Sequence, residues 1–288
     1  MNKCLVFEIQ SEFGYFKRYN STSSPTTHNI IPKTTLIGLI SAIIGNFNGI
    51  DEKDVYLNYF DNDNCKIALE VLNPIKKTFF GLNYQNIKDL KQINAKNLIN
   101  AAIEINKKGL EIQKELFLIE DFHKYSKSYD RGNKYTQVNM EVIRKPHYRV
   151  YFYHSDDNIY NLLKDRLFKG EVYYPIFMGT TDFPCVIKNV SEETLQLVNE
   201  EGNLAEINSV VPENIANVKI HYTASHIDGR MYRNKTIIKE KQPYLFVRDD
   251  NYRRNIDFIE LNISEDGSPI LAEVNNYYIC NDKRIIFY

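Results

Sequence analysis

The chain has 288 residues, of which 43% are hydrophobic and 25% charged, the composition of a soluble globular protein with one large or two modest domains. Its formal net charge of −1 excludes a uniformly basic nucleic-acid coat protein, although a local basic groove remains compatible with it. Trp is absent, whereas 21 Tyr and 16 Phe are present, so Tyr supplies most rings that can both stack and hydrogen-bond.

The first part of the chain predicts alternating strands and helices. Lys3–Gln10 has the apolar density of a strand. After Pro32, residues 36–44 recur at helical spacing, with Thr34 or Thr35 as the N-cap. Further predicted elements are a short helix at 51–59, strands at 65–72 and 77–81, and a helix at 85–108.

The middle of the chain combines an irregular segment with a clear strand pair. Residues 117–135 have no apolar stripe and are polar, basic and Tyr-rich, which predicts an extended arm. Residues 136–153 alternate apolar and polar side chains around Arg144-Lys145-Pro146-His147, which predicts a hairpin. A helix over 159–167 should begin at Asp156 or Asp157 and end at Gly170, before a strand at 185–190.

Beyond residue 191 no helical stripe remains, and short alternating runs end in a strand pair around Asn281-Asp282. The order of elements predicts an α+β fold, with a ferredoxin-like split βαβ sheet. We expect a domain over 1–190, with an insertion around 117–148, and a smaller β-rich domain over 191–288.

Motifs for metal, cofactor or membrane binding are missing from the sequence. Cys4, Cys65, Cys185 and Cys280 lack zinc spacing and lie in apolar stretches, which predicts buried, reduced thiols. The six His are scattered, and no nucleotide-binding glycine motif occurs, so no metal or cofactor is expected. The longest apolar run, 36–44, is too short to span a bilayer, and we expect a cytoplasmic protein.

Basic charge is concentrated locally. Residues 123–154 contain seven Lys or Arg and two acidic residues, with Tyr interleaved, as in single-stranded RNA recognition. A solvated basic arm is the alternative. Residues 219–254 are also basic, whereas 191–213 contain six Glu and no Lys or Arg. The helix start at Lys33 and Thr34 could hold a phosphate, or simply be capped. Candidate RNA-binding residues are Lys17, Arg18, Tyr19, Lys33, Thr34, Lys134, Tyr135, Arg144, Lys145, His147 and Arg149.

A catalytic alternative involves the turn at 144–147. Lys145, His147 and Tyr148 could cleave RNA without a metal, with His as the base and Lys stabilising the developing charge. The same residues could instead contact phosphates at a turn, which is the simpler interpretation.

Three stretches together resemble the fifth family of CRISPR-associated (Cas) proteins in the RAMP superfamily, as found in the type I-B Cascade complex. They are residues 24–45, SPTTHNIIPKTTLIGLISAIIG; residues 139–153, NMEVIRKPHYRVYFY; and residues 162–187, LLKDRLFKGEVYYPIFMGTTDFPCVI. The resemblance covers roughly residues 1–190.

The resemblance implies an RRM-like domain whose thumb hairpin grips the 5′ handle of the guide RNA. It also implies contacts with the backbone RAMP subunit and the large subunit of Cascade. In a sister subtype this family cuts precursor RNA with Tyr, Lys and His, the last two adjacent; here Pro146 separates Lys145 from His147. We therefore expect RNA binding without catalysis. A metal-independent endoribonuclease and a RAMP-like housekeeping RNA-binding protein are the rival hypotheses.

Overall fold

The computed structural model divides the chain into two compact units, Met1–Phe79 with Glu141–Tyr288, and Phe80–Met140. The residues it describes are 1–18, 25–45, 59–61, 63–85, 135–218, 225–227, 230–232, 236–249 and 252–288. Within the second unit, only parts of two strands are described. The predicted domain boundary at residue 190 stays a prediction, and the strand Val186–Thr194 runs across it.

The described residues form two helices and sixteen strands, which confirms the predicted α+β class. The helices are α1 (Lys33–Ile44) and α2 (Asp157–Lys169). The strands are β1 (Lys3–Gln10), β2 (Phe13–Gly14), β3 (Cys65–Val71), β4 (Lys77–Gln85), β5 (Tyr135–Arg144), β6 (His147–His154), β7 (Val186–Thr194), β8 (Gln196–Ile207), β9 (Val211–Pro212), β10 (Ala216–Val218), β11 (Ser225–Ile227), β12 (Arg230–Tyr232), β13 (Ile237–Asp249), β14 (Tyr252–Ser264), β15 (Ile270–Cys280) and β16 (Lys283–Ile285).

A four-stranded antiparallel sheet in the order β3-β6-β1-β7 organises the first unit. Its strands and the two helices follow one another along the chain as β1-α1-β3-β6-α2-β7. Because β6 is antiparallel to both β1 and β3, those two strands run parallel with β6 between them. Helix α2 contacts β6 and β7, and the two helices contact each other.

Strand β1 is buried on both faces of this sheet. Cys4 and Val6 belong to a core cluster that also contains Tyr151, Cys280 and Phe287. Leu5, Phe7 and Ile9 point to the opposite face, since side chains alternate along a strand, and all three are fully buried. Burying a side chain of this size stabilises the fold by about 2 kcal/mol, which explains why the apolar pattern of 3–10 predicted the strand correctly.

The two helices begin in different ways. Helix α2 is capped at its start by Asp156, whose side chain accepts a hydrogen bond from Asn158 N at 2.8 Å, and at its end by Gly170 in the left-handed region, both as predicted. The predicted Thr N-cap of α1 is wrong, because Pro32 occupies the cap position and no side chain caps the helix. Proline needs no hydrogen-bond acceptor for its own nitrogen and fixes φ near the required value.

The predicted hairpin over 136–153 is also wrong in its pairing. The two strands exist, but β5 lies in a sheet with β2 and β4, whereas β6 lies between β1 and β3. Lys145 adopts a left-handed φ of 48°, and the chain changes sheets at Lys145-Pro146. A strong local turn therefore joins strands whose partners are distant in sequence.

All elements described after residue 190 are strands, as predicted for the C-terminal part. Strand β15 pairs with β8, β10 and β16, and β14 pairs with β13 and β9. Asn281 and Asp282 both have positive φ and connect β15 to β16, which confirms the predicted closing pair.

Several predicted elements lie outside the described residues: the helix at 51–59 except Tyr59, the helix at 85–108 except Gln85, and the arm at 117–135 except Tyr135. Among the residues that are described, no helix is long and apolar enough to cross a membrane.

Candidate nucleic-acid interface

The turn between β5 and β6 presents basic side chains from a fixed backbone. Lys145 N donates to Glu12 O at 2.8 Å, Ser11 N donates to Pro146 O at 3.1 Å, and Asn73 Nδ2 donates to Lys145 O at 3.1 Å. These three bonds come from two different neighbouring segments. The turn is therefore held by its surroundings as well as by its own geometry.

Three exposed cations meet at this turn, and we call Lys76, Arg144 and Lys145 the basic turn. Arg144 N donates to Lys76 O at 2.7 Å, which brings the two residues together. All three side chains are exposed, and none forms an ion pair with any residue in the described part of the chain. Cations that no carboxylate neutralises are available to phosphates.

A polar cleft of about 320 Å³ adjoins the basic turn. Its lining residues are Gln10, Ser11, Glu12, Asn73, Lys145, Pro146, His147, Pro184 and Val186. Amide, hydroxyl, ammonium and imidazole groups thus surround a concave surface next to the exposed cations. Glu12 is the one carboxylate in this lining. Lys145 belongs to both the lining and the basic turn, so the basic turn supplies the positive charge of this region.

The segment 177–184, the glycine loop, supports this region from the side. Tyr15 N donates to Met178 O at 3.0 Å, and Met178 N donates to Phe183 O at 2.8 Å. Gly179 has a φ of 93°, and a Cβ at this position would lie 1.9 Å from Tyr15 O. Only glycine allows this approach. The loop thereby holds β2, which pairs directly with the basic turn through Phe13 and Arg144.

Arg149 lies on the sheet between two buried carboxylates. Its Nη2 is 2.8 Å from Glu8 Oε1, and its Nη1 is 2.9 Å from Glu70 Oε2. His147 Nε2 lies 2.9 Å from Glu8 Oε2. We call Arg149, Glu8 and Glu70 the Arg149 triad. The register of the sheet places these three residues directly opposite one another on β6, β1 and β3.

The triad is surrounded by further polar contacts. Tyr151 OH donates to Glu70 at 2.9 Å, Asn189 Nδ2 donates to Glu8 at 2.9 Å, and Lys283 Nζ is 3.3 Å from Glu70. Burial alone would raise the pKa of Glu8, but hydrogen bonds from Arg149, Asn189 and His147 hold it below its usual value. Arg149 is thus an internal counter-ion. Neither carboxylate was predicted from the sequence, although Glu8 interrupts an apolar strand.

Arg18 and Lys17 have different surroundings. Arg18 donates to Glu240 at 2.7 Å and to Thr27 O at 3.1 Å, so its charge is balanced by a buried carboxylate on β13. Glu240 also accepts a hydrogen bond from Asn29 N at 3.0 Å. Lys17 is exposed, and its backbone forms an isolated antiparallel β-bridge with Thr27. Its side chain has no ion pair among the described residues.

Lys33 lies in the core rather than on the surface. It is 2% exposed, its Nζ donates to Tyr288 O at 2.9 Å, and it lies 4.2 Å from the centre of the Tyr244 ring. Burial lowers its pKa to about 8. The neighbouring Thr34 is partly exposed. We therefore leave Lys33 out of the proposed interface.

Replacing Lys33 with Met is expected to stabilise the protein at pH 7. The folded-state pKa lies below the ordinary value of 10.5, so folding disfavours the charged form. The unfolded chain binds more protons between about pH 8 and pH 10.5, and the advantage of Lys33→Met should shrink across that window. Across that window the difference in stability should change by about 3 kcal/mol. Urea denaturation of both proteins from pH 7 to 10.5 measures this difference, and a constant difference would contradict it.

The remaining candidates are separated by the structure. Tyr148 is buried on the face of β6 opposite His147 and Arg149, because side chains alternate along the strand. Lys145 and His147 both line the polar cleft. Tyr19 and Lys134 lie outside the described residues, and Tyr135 begins β5 without a described side chain. Lys76 was not predicted from the sequence, because only the backbone hydrogen bond from Arg144 N to Lys76 O brings it to the turn.

No family model matches the chain, and no curated protein matches it. Among solved structures, the chain is similar to a CRISPR protein from Archaeoglobus fulgidus, with 12% identity, a TM-score of 0.49, and coverage of 98% of this chain and 97% of that one. A chain of a CRISPR RNA-guided surveillance complex has 10% identity, a TM-score of 0.45, and coverage of 94% and 90%. A chain of the type III-B Cmr-beta complex bound to cognate target RNA has 10% identity, a TM-score of 0.36, and coverage of 93% and 86%.

Proposed function

We propose that this chain is a structural RNA-binding subunit that holds the 5′ handle of the guide RNA in a type I CRISPR Cascade complex. The observation that carries the proposal is the basic turn, where Lys76, Arg144 and Lys145 are exposed beside a polar cleft without a described carboxylate partner. In a chain of net charge −1, such a concentration of available cations favours a polyanionic ligand.

The ion pairs of the other basic residues decide which cations belong to the proposed interface. Arg18 and Arg149 are each paired with buried carboxylates, so they are less available to phosphates than sequence alone suggests. Lys17, Lys76, Arg144 and Lys145 are exposed and have no ion pair among the described residues. We assign the phosphate contacts to these four residues, with the polar cleft beside them receiving a base or sugar.

The topology of the sheet supports the same proposal. The order β1-α1-β3-β6-α2-β7, with β6 between the parallel strands β1 and β3, is the split βαβ pattern of ferredoxin-like RNA-binding domains. The stretches 24–45, 139–153 and 162–187 carry the resemblance to the RAMP family. On that basis we propose the backbone RAMP subunit and the large subunit of Cascade as protein partners, in the cytoplasm.

Reversing the charge of Arg144 and Lys145 to Glu should weaken RNA binding roughly tenfold or more, because two charge-assisted phosphate contacts are lost. The slope of log affinity against log salt should fall by about 1.4, since fewer counter-ions are released from a single strand. The probe is a synthetic RNA with the repeat-derived 5′ end, measured by fluorescence anisotropy at several salt concentrations.

A matched control reverses two cations away from the proposed interface. Arg166 and Lys169 lie in the last turn of α2, and their replacement by Glu makes the same change in net charge. This control should leave affinity and salt slope near the wild-type values. Equal effects of both double variants would show that the net charge of the protein, rather than the basic turn, determines binding.

A metal-independent endoribonuclease is the second candidate, favoured by one observation. His147 is oriented by Glu8 at 2.9 Å and lines the same cleft as Lys145. However, Pro146 separates the two residues in sequence, and Tyr148 lies in the core on the other face. We therefore propose a non-catalytic role, in which the RNA of the binding assay is recovered intact. Cleavage at the handle boundary that is lost in His147→Ala would overturn that proposal.

A further inference from the structure

Two of the four buried free cysteines lie next to each other although 276 residues separate them in sequence. Cys4 Sγ on β1 and Cys280 Sγ at the end of β15 are 4.0 Å apart, within one core cluster. Both side chains are almost fully buried. No comparable sulfur contact occurs for Cys65 or Cys185 within the described ranges. The tertiary structure therefore brings these two thiols together.

Cys280 also borders a second cleft, of about 340 Å³, which we call the thiol cleft. The residues that line it are Val6, Glu8, Arg149, Tyr151, Asn189, Ser191, Cys280, Asn281 and Lys283. Cys4 is not among them, so of the two cysteines Cys280 is the one that lies at the cleft.

The electrostatic surroundings make the same distinction between the two thiols. The hydrogen bond with Cys4 lowers the pKa of Cys280, burial and the charge of Glu193 oppose this change, and the charge of Arg149 lowers the pKa further. The hydrogen bond with Cys280 raises the pKa of Cys4, and burial adds to this increase. Together with its position at the cleft, this direction favours Cys280 as the attacking thiol and Cys4 as its partner.

We propose that Cys4 and Cys280 form a thiol redox site that reacts with a hydroperoxide. The Cys280 thiolate attacks the distal peroxide oxygen, the O–O bond breaks, and the leaving oxygen takes a proton, which gives Cys280 sulfenic acid and water or an alcohol. The Cys4 sulfur then attacks the Cys280 sulfur, an S–S bond forms, and the sulfenic oxygen leaves as water. The peroxide is reduced, and the two thiols are oxidised to one disulfide.

The location of Cys280 favours the second step. A disulfide requires the sulfurs to approach from 4.0 Å to about 2.05 Å. Cys4 lies within a strand paired on both sides, whereas Cys280 directly precedes the Asn281-Asp282 turn, where the strand ends. We therefore expect the end of β15, rather than β1, to move when the two sulfurs approach. The product closes a loop of more than 270 residues between β1 and the closing strand pair, and cross-links of long loops stabilise most.

The test treats the reduced full-length protein with hydrogen peroxide, removes the peroxide, unfolds the protein in the presence of iodoacetamide so that the buried remaining thiols react, and maps the peptides by mass spectrometry. We expect wild type to lose two alkylatable thiols and to yield a peptide pair linked through Cys4 and Cys280, with Cys65 and Cys185 still alkylated. The melting temperature of the oxidised protein should rise and return to its starting value with dithiothreitol. Four alkylatable thiols after peroxide would overturn the proposal.

Two variants assign the roles of the sulfurs. Cys4→Ser should accumulate a sulfenic acid at Cys280 that dimedone traps, because the second thiol is gone. Cys280→Ser should give no dimedone adduct at Cys4. The reverse pattern would overturn the assignment of the attacking thiol. The disulfide itself is measured in the wild-type protein. A folding defect in either variant would therefore not affect the test of the proposal.

Discussion

Replacing Gly179 with Ala is expected to destabilise the protein by about 4 kcal/mol or more. The new Cβ would lie 1.9 Å from the carbonyl oxygen of Tyr15, which belongs to the backbone and cannot rotate away. The φ of 93° is itself unfavourable for any residue with a side chain. The glycine loop would have to leave β2, and the hydrogen bond from Tyr15 N to Met178 O would be lost.

Gly170 provides the matched control for Gly179. It also has a positive φ, of 68°, but no atom lies within 4 Å of the position of its Cβ. Gly170→Ala should therefore cost only the left-handed conformation, about 1 kcal/mol. Urea denaturation of the two variants gives the comparison directly. Similar losses at both positions would mean that the close approach of the glycine loop to Tyr15 does not exist in solution.

Replacing Arg149 with Met is expected to destabilise the folded state by about 3 kcal/mol, because Glu8 and Glu70 would remain buried without the guanidinium that they share. His147 would still contact Glu8, and Lys283 would still contact Glu70. Arg166→Met is the control, since Arg166 pairs with the exposed Glu171 and such pairs contribute about 1 kcal/mol or less. Both free energies of unfolding can be measured in urea at pH 7. Equal losses would show that the triad does not depend on the Arg149 charge.

The dependence on pH provides a second measurement of the same triad. In wild type the pKa of Glu8 is lowered, so its contribution to stability is present above the ordinary carboxyl pKa and is lost as pH falls through the folded value. Without Arg149, the pKa of Glu8 should be higher than in wild type, because one hydrogen bond and its charge are lost while burial and the bonds from Asn189 and His147 remain. The difference in stability between wild type and Arg149→Met should therefore shrink as the pH falls below neutrality. Adding Glu8→Gln to the variant should restore part of the lost stability.

The local elements of the fold were determined by the sequence. Strand β1 and helix α1 follow from apolar spacing, and helix α2 follows from the Asp156 cap and Gly170, because these signals act between residues at most a few positions apart. The closing strand pair around Asn281-Asp282 follows for the same reason. The candidate interface could be predicted in part, because the sequence predicted a turn at Arg144 and Lys145, and the structure exposes both residues at that turn.

Only the tertiary structure decided which partner each strand and each charge would find. In the sequence Arg149 resembles Arg144, but Glu8 and Glu70, which lie 141 and 79 residues away, pair with Arg149 and not with Arg144. Strands β5 and β6 are adjacent in sequence yet join different sheets, because Phe13 and Gly14 pair with β5. Lys33 enters the core, and Cys4 meets Cys280, for the same physical reason: contacts between distant segments depend on how whole elements pack, which no local pattern encodes.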